Sequence, residues 1–443
     1  MVTRRSFTRG STAALLAGAP GLGQAQALPH GLRPGRPFAG TELTAIVPLL
    51  AQFGAQQRRL GEFERLTGIR VDMRFLPPND IRDAIASTGA RRSASVDVFN
   101  CADAWLPTLA SNFIPLDELI KRDGFDLNRY PSGFKAAAGF DRNFFGLPIR
   151  GFAQLLFFRK DLFEREGLQP PRTWDEFVIS ANRLQRASNI GGAAMYYGRA
   201  ENAASLNIWA NYLWGRGGDI LHSDFTPRFN DPVGIETTQF YIDLVLRHGV
   251  VASGSTDFTE ANAIAAMAQG RAAMIMTWAW NHGSLFGANA KLKREQVGIA
   301  PMPGYRGRPL ATCATVSLLC MNLHSVRHEA AWEFLKWATN PELEMAIALD
   351  RSRPELIDDM VVHASSYENP DLNTLSAGMH RAAGASLSGS RVMPRLKEWP
   401  AVAQILDAAI AEAARGTRLT RSVLDDATRQ VNRLLRSAGV IKE

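Results

Sequence analysis

Cysteine is scarce in this chain: Cys101, Cys313 and Cys320 are its three cysteines, and no two form a C-x-x-C pair. So few and so dispersed, they exclude a zinc knuckle and a disulfide framework. One bridge remains open in an oxidising compartment; the alternative is three buried thiols acting as small apolar side chains. Long apolar runs are missing too. Beyond residue 27 no stretch of about 18 apolar residues occurs, so the remainder is expected to be soluble. No basic run interleaved with aromatics is present, and nucleic acid is not an expected partner.

Enzyme signatures are equally absent. The chain has no G-x-G-x-x-G after a strand, no phosphate loop and no G-x-S-x-G elbow. The adjacent carboxylates Asp358-Asp359 and Asp425-Asp426 diverge on a helix, unlike a glycosidase pair. His324 and His328 have i, i+4 spacing, but Ser325 reads as a helix cap, which leaves His324 outside the helix. No cofactor or metal is expected, and the chain is not read as an enzyme.

What is present is a 443-residue chain, 46% apolar and 21% charged, too long for one ordinary core. The segment 1–27 has a basic head (Thr3-Arg4-Arg5-Ser6-Phe7), an apolar middle (Ala13 to Gly23) and Ala25-Gln26-Ala27. It resembles a twin-arginine export signal, the alternative being a basic tail. Removing Arg4, Arg5 and Arg9 with it would lower the formal charge from +7 to +4. Residues 28–38, with several Pro and Gly, read as a spacer.

From Thr41 short apolar runs alternate with amphipathic stretches. Thr41–Val47, Val71–Phe75 and Val96–Asn100 read as strands. Between the first two, Leu49, Phe53, Leu60, Phe63 and Leu66 read as one helix closed by Gly68; Asn79 is placed to cap the next. This order predicts a parallel sheet, with ligand beyond the carboxyl ends of its strands, near Asp103 and Trp105. A second unit follows from Leu155–Phe158, with a capping box at Thr173–Glu176 and helices around 174–187, 203–215, 231–248 and 259–269. Strands are then expected at Ala272–Thr277, Val297–Pro303 and Val316–Met321. Two helices split at Gly416 complete the chain.

Several segments together resemble one family, the extracellular solute-binding proteins of sugar-type ABC importers. They are Gly146–Phe163 with Gly167-Leu168 and Pro170–Phe177, Gly217-Gly-Asp219, Ala268–Met274 with Trp278, Pro301-Met-Pro303, and Ala330–Trp337 with Pro341-Glu342. Each mostly encodes caps and cores; their shared order carries the resemblance. It implies an α/β, type II periplasmic binding protein fold, with ligand clamped between two hinge-linked lobes. The implied lobes are 39–149 plus 301–345 and 150–300 plus 346–443. The chain would act as a periplasmic monomer that hands a sugar, oligosaccharide or polyol to ABC permease subunits; the alternatives are a ligand sensor docking on a membrane receptor and a binding protein for a non-sugar polar or anionic solute. It departs from the family twice. Ala311-Thr-Cys-Ala-Thr-Val316 stands where a glycine-rich turn is common, and Phe152 lies near a position where maltose-binding relatives carry a carboxylate.

A sugar offers C–H faces to flat aromatic rings and hydroxyls to a ring of donors and acceptors; an unpaired desolvated hydroxyl costs about 1–3 kcal/mol. Trp278, Trp280 and Asn281 follow a strand end and are the leading contacts, the resemblance placing a stacking aromatic near Trp278. Trp209 on its helix is a second aromatic candidate, with core packing the alternative. Asp103, Trp105, Arg150 and Gln154 are the polar and aromatic candidates near strand ends and the first lobe crossing. Arg353 resembles a cleft-lining family position.

Overall fold

The computed structural model describes residues 29–200, 202–352 and 360–442, so the expected export segment and Arg353 lie outside the described residues. Its strands are β1 (Glu42–Pro48), β2 (Arg70–Leu76), β3 (Val98–Ala102), β4 (Gly139–Phe140), β5 (Asn143–Phe144), β6 (Gly146–Arg159), β7 (Met274–Trp278), β8 (Val297–Pro301), β9 (Thr312–Met321) and β10 (Ser390–Arg391). As the strand–helix alternation predicts, β1 lies parallel between β2 and β3. The sheet then turns antiparallel: β3 pairs with β9, and β9 with β6.

The 14-residue β6 is the longest strand and joins the two lobes. Gly146–Ala153 pairs with β9, whereas Gln154–Phe158 pairs with β7 and Leu155–Arg159 with β8. Only Arg150 and Arg159 in it are not fully buried, and the apolar run Leu155–Phe158 read from the sequence is its buried C-terminal part. The register slips between Pro148 and Arg150, where proline supplies no ladder N–H. The chain leaves the first lobe along β6 and returns along β9.

Local chemistry explains most helix ends. Thr173 accepts the Glu176 N–H and Glu176 accepts the Thr173 N–H, the capping box read from the sequence. Gly68 and Gly416 take positive φ at or just beyond helix ends. Other expectations shift. The stretch from Leu49 to Leu66 is two helices, Ala51–Gln57 and Leu60–Thr67, and Leu49 stays outside both, 73% exposed. The break lets Gln52 and Gln56 donate to the backbone carbonyls of Ile149 and Ala338. Asn79 is not a cap, because Pro78 starts its helix one residue earlier. Ser325 does not cap either: the helix begins at His328, and the Ser325 hydroxyl accepts from the Arg327 N–H while donating to Asp97. Among the described residues no cluster of His, Cys, Asp and Glu could hold a metal, and the three cysteines are buried free thiols.

Residues 29–38 are docked rather than forming a free spacer. The Arg33 backbone N–H donates to Glu333, and its guanidinium pairs with Glu329. The buried Lys336 ammonium donates to the Gly31 carbonyl at 2.7 Å and to Asp123 at 3.0 Å, and lies 2.9 Å from Glu333. Burial opposes ionisation of Asp123. Hydrogen bonds from Arg122, Trp332 and Lys336 outweigh it and hold the carboxyl well below its usual range. Removing one partner of a buried ion pair strands the other, so Lys336→Met is expected to cost about 3 kcal/mol in urea unfolding. Because the folded pKa of Asp123 is depressed, its contribution is full at neutral pH. It is lost as pH falls below about 4, and an acid titration of unfolding should show that loss in the wild type.

Candidate ligand cleft

A cavity of about 240 Å³ opens between the lobes. One wall is the turn after β3, with Asp103, Ala104 and Pro107, together with Cys313–Thr315 of β9. The opposite wall holds Asn207 on the helix Ala204–Gly215, Glu260 on the helix Glu260–Ala268, Trp278 at the end of β7 and Trp280 just after it. Met393–Leu396 and Trp399 close one side. A larger groove of about 940 Å³ runs along Leu168–Arg172 and Ile299–Met302 on the outer side of β8. It has neither paired indoles nor carboxylates facing each other, so the smaller cleft is where binding chemistry converges.

Asp103 sits at the carboxyl end of a parallel strand, where backbone N–H groups and incoming loops meet. Its carboxylate accepts from the Thr315 hydroxyl and from the Val316 N–H at 3.1 Å. The Arg395 guanidinium lies 3.5 Å from it and donates to the carbonyls of Asp103, Ala137 and Gly139. Burial pushes the Asp103 carboxyl above its usual range, against the pull of Arg395, Thr315 and Val316. Arg395 thereby latches the 393–396 segment to the first lobe.

The aromatic wall is a relay of rings. Trp278 and Trp280 stack at 4.8 Å with 11° between planes, and the Phe152 ring meets Trp280 edge-on at 4.6 Å. The Arg150 guanidinium lies over Phe152 at 4.6 Å. Trp278 is 4% exposed and Trp280 38%, so Trp280 presents the open ring. Phe152, noted in the sequence as a departure from the family pattern, braces that ring.

Glu260 faces the same space. One oxygen accepts from the Thr277 hydroxyl at 2.7 Å and from the Asn281 amide at 3.2 Å, while Asn281 also donates to Thr277 at 2.8 Å. Burial raises the Glu260 carboxyl above its usual range, and these two donors oppose it.

The structure therefore brings Asp103, Trp278 and Trp280 to the cavity wall. Asn281 stands behind it, orienting Glu260, and Arg150 behind Phe152. Trp105 does not line the cavity: the chain turns at Asp103, and its half-buried ring packs on the core. Trp209 is fully buried and donates to the Thr238 hydroxyl at 3.0 Å, which makes it a core residue. Gln154 is buried away from the cavity. It accepts from Asn211 at 2.6 Å, and Asn211 accepts from the Cys313 N–H at 2.6 Å, tying β6, a second-lobe helix and β9 together. Sequence reasoning missed Glu260, Arg395, Thr315 and Asn207. Glu260 looked like an ordinary first-turn acidic residue of a capped helix, and Arg395 followed a loop proline without any periodic signal.

Two α/β lobes sharing β6 and β9, with a cleft between them, define the two-lobe periplasmic binding protein fold. Residues 44–345 match the bacterial extracellular solute-binding protein family, and the chain belongs to that family. A putative binding protein of Brucella abortus (strain 2308) is 22% identical over 373 residues, 83% of this chain and 86% of its own length. The mannitol-binding protein of Pseudomonas aeruginosa is 27% identical over 207 residues, 44% of this chain and 45% of its own. Among solved structures, maltose-bound MalE3 of T. maritima superposes with a TM-score of 0.70 at 22% identity, covering 89% of this chain and all of that one (100%).

The geometry separates structural from ligand-facing groups. Gln154→Ala should lower unfolding free energy by about 1–3 kcal/mol while changing ligand affinity less than about threefold. Trp280→Ala should do the reverse, leaving the melting temperature within a few degrees and weakening binding by over tenfold. Calorimetric titration and thermal unfolding of both variants check the pair.

Proposed function

We propose that the chain is the exported solute-binding component of an ABC importer and that it captures a sugar or polyol without catalysis. The observation that carries this reading is the stacked Trp278–Trp280 pair lining one cavity between the lobes together with the carboxylates of Asp103 and Glu260. Flat rings accept C–H faces, and carboxylates accept hydroxyl protons at the edge of the same molecule. The names of two similar proteins, one mannitol-binding and one maltose-bound, support the same ligand chemistry.

Ligand touching both walls favours the closed arrangement and shifts the population toward it. The moving bodies would be residues 39–149 with 301–345 and residues 150–300 with 346–443, hinged on β6 and β9. The permease then reads the closed form. The twin-arginine-like segment 1–27 supports export to the periplasm, where the protein would work as a monomer.

A thermal-shift screen of the mature protein against sugars, polyols and small anions tests the reading. A specific ligand at 100 times its dissociation constant should add about 2.7 kcal/mol of stability. A melting point moved by anions alone would reject the carbohydrate assignment.

A further inference from the structure

Two carboxylates line the cleft, but its only basic lining side chain among the described residues is Arg395. Arg395 is committed to Asp103, by proximity of charge and by its bond to the Asp103 carbonyl, and its other donors go to Ala137 and Gly139. Among the described residues Glu260 has no such partner. Its two hydrogen bonds, from a threonine hydroxyl and an asparagine amide, end on the same oxygen, Oε1. Among the described residues Oε2 accepts from no protein group, and Glu260 faces the cavity that holds the two indoles. A carboxylate enclosed without a counter-ion is costly unless something donates to it, and a closing cleft makes the ligand that donor. Thr277 and Asn281 fix its direction, so the acceptor is aimed in advance.

Volume sets a second limit. About 240 Å³ lies below the roughly 300–1,000 Å³ of pockets that hold drug-sized molecules. Trp399 and the latched segment around Arg395 line one side of that space.

We propose that Glu260 is the specificity-determining residue of this cleft: its open oxygen takes hydroxyl or ammonium protons from a single-unit polyhydroxylated solute, and its charge rejects the corresponding acid. The proposal rests on the carbohydrate reading above and narrows it to one sugar-sized unit, neutral or amine-bearing. An acid group brought beside Glu260 would set two negative charges against each other at a few ångströms, and the basic lining side chain among the described residues, Arg395, is committed to Asp103. In a protein-like dielectric that repulsion weakens binding by about 100-fold. A protonated amine gains instead, from the carboxylate and from the indole faces.

The test is calorimetric titration at pH 8 with matched six-carbon sets: D-mannitol against D-mannonate, and D-glucitol against D-gluconate and 1-amino-1-deoxy-D-glucitol. Expected for the wild type are a polyol bound about 100-fold tighter than its acid and an amine bound at least as tightly as its polyol. Glu260→Gln keeps the shape and removes the charge, so its polyol-to-acid ratio should fall below about tenfold with the ligand-free melting temperature unchanged. The wild-type comparison stands alone if that variant does not fold. An acid binding within tenfold of its polyol overturns the proposal, as does a ratio that survives in Glu260→Gln. Binding of maltotriose but of no six-carbon compound would also overturn it while leaving the carbohydrate reading intact. Binding of no carbohydrate at all would remove both.

Discussion

One strand holds both walls of the cleft. β6 gives its first eight residues to the ladder with β9 and its last six to β7 and β8, so any shift of its register moves the two lobes together. Trp278 is in register with Gln154 on that strand, and Gln154 is bonded through Asn211 to the β9 backbone at Cys313. The aromatic wall is therefore built on the hinge itself. A polar chain buried at this point is sensitive to geometry, because each of its groups becomes a desolvated orphan if the strands slip.

The two carboxylates of the cleft are prepared differently. Asp103 is surrounded by donors before any ligand arrives: a hydroxyl, a backbone N–H and a guanidinium. It serves as an anchor that brings Arg395 and its segment onto the first lobe. Glu260 is held on one oxygen and open on the other. With the satisfied acid on one wall and an open oxygen on the other, a ligand that completes the second would make closing conditional on binding, as proposed above.

The fold was legible because its signals are local. The Thr173–Glu176 box, the glycines after helices and the apolar run of β6 each follow from rules acting over a few residues. The parallel start β1–β3 was legible for the same reason. Family resemblance implied only that β9 belongs to the first lobe; its place between β3 and β6 was not legible, since no local pattern encodes a long-range antiparallel pairing. Trp278 and Trp280 were legible as residues at a strand end, and Asp103 likewise. Trp105 and Trp209 show the limit of that reasoning: an indole on a turn or helix carries no mark of which way it faces. Thr315 was hidden inside a segment noted only for lacking glycine; extended as β9, it delivers a hydroxyl to Asp103. Glu260 and Arg395 lie far apart along the chain, and only tertiary packing brings them to one cavity.

The central claim is that a small polyhydroxylated solute is held between the Trp280 ring and the carboxylates of Asp103 and Glu260. A crystal structure of the mature protein with the tightest solute from the thermal screen tests it most directly. The account predicts ligand density stacked on the open face of Trp280, with hydroxyls within about 3 Å of Glu260 Oε2. Density in the groove beside Leu168–Arg172, with the inter-lobe cleft holding only water, would contradict it.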